Sequence, residues 1–245
     1  MTDVRWTYAF IDRPSPASAP FWATVTGTTL SEPRGERAEF RTLLPSDGHA
    51  PCVKFQTVAE GPGGAHIDFS VTDVPGFVAR ALKLGARLVA DHTDWAVLAS
   101  PAGQPFCAVP WQGESVRPPV HAGARLDQVC IDLPPSAYSA DISFFTALLP
   151  TWTSTPSPLP EFHVLTPPPG LPTRLLLQRT TQEQPTSAHI DLATAPNLPE
   201  VRARHEQSGA RLIAEFPHWT VMKDPDDGLY CLTGRDAETG TRPQS

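Results

Sequence analysis

The stretches AHIDF, from Ala65, and AHIDL, from Ala188, each set a histidine two residues before an aspartate among apolar neighbours. In an extended chain, side chains two apart point to the same side. His66 therefore stands beside Asp68, and His189 beside Asp191. An imidazole next to a carboxylate supports metal ligation, proton transfer, or hydrogen-bonded anchoring of a bound molecule, because the carboxylate fixes the tautomer and raises the basicity of the ring. It also serves a purely structural end when it satisfies the polar floor of a cleft. The residue types alone leave all four open.

The two pentapeptides open longer segments that repeat each other. AHIDFSVTDVPGFVARALKLGARLVADHTDWAVLASPAGQPFC aligns with AHIDLATAPNLPEVRARHEQSGARLIAEFPHWTVMKDPDDGLYC with a slip of one residue in the helical portion. Strict alternation puts His66, Asp68 and Ser70 on one face of a strand and Ile67, Phe69 and Val71 on the other. From Val74 the apolar period becomes helical, and Gly85 supplies the stop. ARLVA, WAVLA and PFCAVP read as short strands, so the unit is β-α-β-β-β. The segments before each copy fit the same unit, with helices carrying Phe21 and Trp22 in one and Phe144 and Phe145 in the other. Four units give an α+β chain in two tandem domains, residues 1–112 and 124–235. Residues 113–123 read as a linker and 236–245 as a disordered tail.

Composition narrows the class. The formal charge of -7 offers no basic stripe for phosphates, so nucleic acid is not expected as a partner. No apolar run is long enough to span a membrane, and MTDVRWTYAF lacks the basic-then-apolar build of a signal peptide, so a cytoplasmic protein is expected. The cysteines, Cys52, Cys107, Cys130 and Cys231, are scattered without a C-x-x-C pair and read as buried thiols. Proline clusters between Thr153 and Arg174, where a long irregular loop is expected, with Trp152 at its edge as part of a flap.

The ordered words HIDFSVTDV, LGARLV and DWAVLASPAGQPFC, with their second-half counterparts, resemble the vicinal-oxygen-chelate superfamily, in its glyoxalase-like or bleomycin-resistance-like branch. The resemblance implies that paired units curl into half-barrels, with helices outside and a cleft inside. Alternation then turns Gln56 with His66 and Asp68, and Gln178 with His189 and Asp191, toward the clefts. Trp95 and Trp219 fall on a middle strand, either on the cleft wall or under the helix. Family enzymes hold a divalent metal with first-strand ligands and a glutamate on the closing strand. At the positions matched to that glutamate stand Pro105 and Leu229, which cannot coordinate, while Cys107 and Cys231 share its alternation.

The expectation is thus a cleft without the usual metal or any other cofactor. It would bind a small apolar or aromatic molecule, as in natural-product binding or resistance. Gln56, His66, Asp68, Trp95, Cys107, Gln178, His189, Asp191 and Trp219 are the contact residues. The alternative is an enzyme of the lyase or isomerase type, working next to a carbonyl through an atypical metal site or a His–Asp acid–base pair. Two domains in one chain supply internally what shorter relatives obtain by dimerising, so a monomer or a homodimer is expected.

Overall fold

The computed structural model describes residues 4–46 and 48–242. The first half runs β1 (Val4–Arg13), α1 (Ala19–Thr26), β2 (Thr29–Leu30), β3 (Phe40–Leu44), β4 (Val53–Thr57), β5 (Gly64–Val71), α2 (Val74–Lys83), β6 (Arg87–Asp91), β7 (Ala96–Ala99) and β8 (Pro105–Pro110). The second half repeats the order: β9 (Arg125–Leu133), α3 (Pro135–Leu148), β10 (Thr153–Pro156), β11 (Phe162–Thr166), β12 (Arg174–Arg179), β13 (Ser187–Ala195), α4 (Leu198–Gln207), β14 (Arg211–Phe216), β15 (Trp219–Lys223) and β16 (Leu229–Asp236). Two eight-stranded mixed sheets result, ordered β2-β3-β4-β1-β5-β8-β7-β6 and β10-β11-β12-β9-β13-β16-β15-β14. Among the described residues, no helix is long and apolar enough to cross a membrane.

Two differences from the sequence reading stand out. The proline-rich stretch is an irregular loop only in part: residues 157–161 and 167–173 form no strand, but β10 and β11 pair antiparallel from Thr153↔Thr166 to Pro156↔His163. Proline is tolerated there because β10 lies at the sheet edge, where a missing N–H breaks no central ladder. Residues expected as a disordered tail include the end of β16 and a turn in which Asp236 Oδ1 accepts from the Thr239 amide at 2.7 Å and the Glu238 amide at 3.0 Å. The last three residues, 243–245, lie outside the described residues.

Packing gathers the chain into two compact units. One holds β5 to β8 with α2, β9 from Val129 onward, and α3 to β12. Its core is aromatic: Phe69 meets Phe77 of α2 at 5.6 Å, and Phe106 meets Phe144 and Phe145 of α3 at 5.9 and 6.0 Å between centroids. At its margin the Asp141 carboxylate accepts from the Ser100 hydroxyl at 2.6 Å and the Ala102 amide at 2.9 Å. Burial holds the Asp141 carboxyl above the usual carboxylate range, against the pull of those two donors.

The other unit holds α1 to β4 and β13 to β16. Here Trp22 packs on Tyr230 at 5.0 Å, and its indole N–H donates to Asp224 Oδ2 at 2.9 Å. The Arg13 guanidinium donates to the same oxygen at 2.7 Å, both partners being almost wholly buried. Gly228 is required beside them, since a Cβ there would overlap the Arg13 guanidinium. Removing one member of a buried ion pair strands the other charge, at roughly 3–5 kcal/mol. Asp224→Ala is expected to lose about that much stability in urea unfolding, well beyond what Asp226→Ala loses.

His205, on α4, is buried against Phe21 and shares a hydrogen bond of 2.9 Å with the Tyr230 hydroxyl. Burial pulls its pKa down from 6.5 to about 4. Between those values the unfolded chain takes up a proton that the folded chain refuses, so stability falls as pH drops. The contribution is complete above the unfolded value and is lost progressively toward pH 4. It amounts to roughly 3 kcal/mol. Urea unfolding between pH 7 and 4.5 is expected to show this loss in the native protein and a flatter profile in His205→Gln.

Candidate functional site

The site is built from the strands that open and close each second unit. β5 and β8 run side by side in parallel, with Ile67 opposite Phe106 and Asp68 opposite Cys107. β13 and β16 do the same, with Asp191 opposite Cys231. The odd-numbered positions Ile67 and Phe69 pack under α2, which turns His66, Asp68 and Cys107 to the other face. His189, Asp191 and Cys231 share a face by the same alternation. In both sets, one atom from each of the three side chains lies within 4.8 Å of the others.

In the second set the geometry is tight. His189 Nε2 lies 3.2 Å from Asp191 Oδ1 and 3.4 Å from Cys231 Sγ. Asp191 Oδ2 accepts a 2.6 Å hydrogen bond from the Gln128 amide, whereas Oδ1 takes part in no hydrogen bond among the described residues. Asp191 and Cys231 are buried and His189 is half-buried. In the first set His66 Nε2 lies 3.5 Å from Asp68 Oδ1, and all three side chains are buried.

Sulfur and carboxylate therefore face the same imidazole nitrogen. A nucleophile relay puts its thiol and carboxylate on opposite ring nitrogens, so that one holds the tautomer while the other passes the proton. The arrangement here is convergent instead. Imidazole, thiolate and carboxylate are all competent donors to a divalent transition metal. Around a tetrahedral ion at ordinary bond lengths, N···O and N···S separations are about 3.3 and about 3.5 Å. The second set matches both, and the Gln128 bond to the outer carboxylate oxygen is the kind of support that orients a ligating carboxylate.

The remaining expected residues are distributed around these sets. Gln56 lies half-buried on β4 opposite Phe40. Gln178, on β12, accepts from Cys130 Sγ at 3.6 Å, so the amide that reaches Asp191 is that of Gln128. Trp95 precedes β7 and stacks on His92, and Trp219 opens β15 and stacks on Phe216. Register puts Trp219 on the face of Cys231, because Trp219 pairs with Thr233 and Val221 with Cys231. Trp152 is no flap: it is buried edge-on against Phe69, on the helical side of its sheet. The alternation of LDQVCIDL sets Gln128 on one face with Cys130, whereas its partner Asp191 on β13 follows only from strand order.

Across residues 9–109 and 128–233 the sequence matches the glyoxalase-like domain. The chain belongs to the glyoxalase-like domain family. No curated protein matches it significantly. Among solved structures, an extradiol ring-cleaving dioxygenase from B. fuscum superposes with a TM-score of 0.64 at 17% identity, covering 98% of this chain and 74% of that one. Catechol 2,3-dioxygenase gives 0.61 at 11% identity over 100% and 93%, and a mutant of 4-hydroxymandelate synthase from Streptomyces coelicolor gives 0.57 at 11% over 100% and 94%. At such identities the likeness is one of fold, and both glyoxalase-like domains share in it.

Gln128→Leu keeps the side-chain volume and removes the donor to Asp191. A buried carboxylate oxygen left without its partner costs about 1–3 kcal/mol. Thermal unfolding of this variant is expected to show that loss, with Gln178→Leu distinctly milder.

Proposed function

We propose that this glyoxalase-like chain handles a small molecule with oxygen donors, and that His189, Asp191 and Cys231 seat a divalent transition metal that takes part. The convergence of Nε2, Sγ and Oδ1 at separations suited to a shared ion carries this reading. Three protein donors leave room for ligand oxygen, as open metal sites do. When bound, such an ion polarises a substrate oxygen and supports isomerisation, lyase or oxygenase chemistry next to it. The chain's own residues have separate tasks. Gln128 holds Asp191 by its outer oxygen, the small side chains beside Cys231 leave access for a ligand, and the aromatic core beneath fixes the strands.

Metal analysis of full-length protein purified without chelators tests this. About one equivalent of zinc, iron, manganese or nickel is expected, with loss in His189→Ala and Cys231→Ser. Cobalt substitution is expected to give a thiolate charge-transfer band that Cys231→Ser abolishes. A chain that retains none of these metals, and whose melting temperature none of them raises, would overturn the proposal.

A second reading, ligand binding without an ion, is favoured by Pro105 and Leu229, which stand where the resemblance sets a glutamate. In that case His66, Asp68 and Cys107, with their second-half counterparts, anchor the ligand by hydrogen bonds alone. Ligand binding that survives complete removal of metal is its signature.

A further inference from the structure

Beyond the His–Asp–Cys sets, both sheets continue in the same way. From Cys231 the row across the strands runs to Val221 and then Ala214, and the next row on that face runs from Ala193 through Thr233 and Trp219 to Phe216. In the other sheet the row from Cys107 runs to Val97 and Ala90, and the backbone bond from His92 to Trp95 closes the hairpin at the place of Phe216 and Trp219. Valine and alanine are thus the floor beside each cysteine, and all four are half-buried. On the reverse face Leu98 and Met222 are wholly buried.

Each floor ends at a pair of stacked rings. Phe216 and Trp219 lie 4.6 Å apart at 16°, and His92 and Trp95 lie 3.9 Å apart at 12°. Phe216 is 47% exposed, and His92 is exposed too. A ring pair of this kind stiffens its hairpin, but hairpin stability does not call for a small-residue shelf open to solvent on the same face. Adjacent strands are about 4.8 Å apart, so the shelf spans about 10 Å from cysteine to the edge strand, the size of a two-ring aromatic system.

We infer that each shelf is a subsite for a planar aromatic group, lying on Val221 and Ala214 or on Val97 and Ala90 against the ring pair, with a polar oxygen on the aromatic group directed to the His–Asp–Cys set. The inference rests on reading these faces as ligand sites and names the class of ligand they take. Phe216 and His92 are then the residues that separate the two subsites: the first offers only an aromatic surface, the second adds ring nitrogens for a polar edge.

The test uses full-length protein with 2-naphthol and its saturated counterpart decahydro-2-naphthol, followed by calorimetry and tryptophan fluorescence. Planar 2-naphthol is expected to bind about tenfold more tightly, the measure of one good stacking contact. The double variant Phe216→Leu, His92→Leu is expected to erase that preference while keeping the circular dichroism and metal content of the parent, with a melting temperature lowered only slightly by the loss of the two ring pairs. Equal binding of the two compounds, absence of binding by either, or a preference untouched in the double variant would overturn the inference. Metal uptake that persists in any of those cases leaves the metal seat standing; a naphthol preference in a chain that takes up no metal does the reverse.

Discussion

The parallel pairing of the opening and closing strands in each second unit is the constraint on which the site depends. Because a helix and a hairpin lie between them, β5 and β8 can run in the same direction side by side, as can β13 and β16. That contact brings Cys107 beside Asp68 and Cys231 beside Asp191 across long stretches of chain. Side chains alternate, so a slip of one residue would send each cysteine into the helical layer and bring a phenylalanine or tyrosine out. Phe69, Phe106 and Tyr230, wholly buried on the helical side, hold the register. Core packing thus sets the position of polar groups that take no part in the core.

Much of the fold could be read in the chain before any coordinates. The duplicated segment, the switch from period two to helical period at Val74, and the glycine stops gave the β-α-β-β-β unit, and alternation assigned the faces of His66 and Asp68 correctly. What could not be read was the contact between distant strands. Cys107 and Cys231 share the alternation of the matched glutamate positions, yet their distance from an aspartate follows only from strand order. Gln128 is a related case: its half of the duplication has diverged, and its bond to Asp191 depends on the neighbouring strand, which alternation along one strand does not specify. The pairing of β10 with β11 escaped because proline argues against strands, and that argument weakens at an edge. Trp152 sits beside the proline-rich stretch in sequence, but its partner Phe69 is in the other half of the chain.

The two faces share a plan and differ in detail. The first set is fully buried and looser at 3.5 Å, while the second has a half-buried imidazole and an amide on its carboxylate. Histidine in one ring pair answers to phenylalanine in the other. Equivalent scaffolds have thus diverged in the polar detail of their faces, the level at which one fold comes to differ in function.

The polar contacts at the margins of the cores carry a last consequence. Ser100 and Asp224 fall at equivalent places in the repeat, as do Asp141 and Ser18 when Phe144–Phe145 is laid over Phe21–Trp22. In one unit the helix brings the acid to a serine turn; in the other the turn brings the acids to a serine helix and an arginine. Were either half to dimerise with its own copy through these contacts, two acids would collide in one case and Arg13 would lose its counter-charge in the other. Duplication has thus been followed by an exchange of sides, the acid standing on the helix in one unit and on the turn in the other.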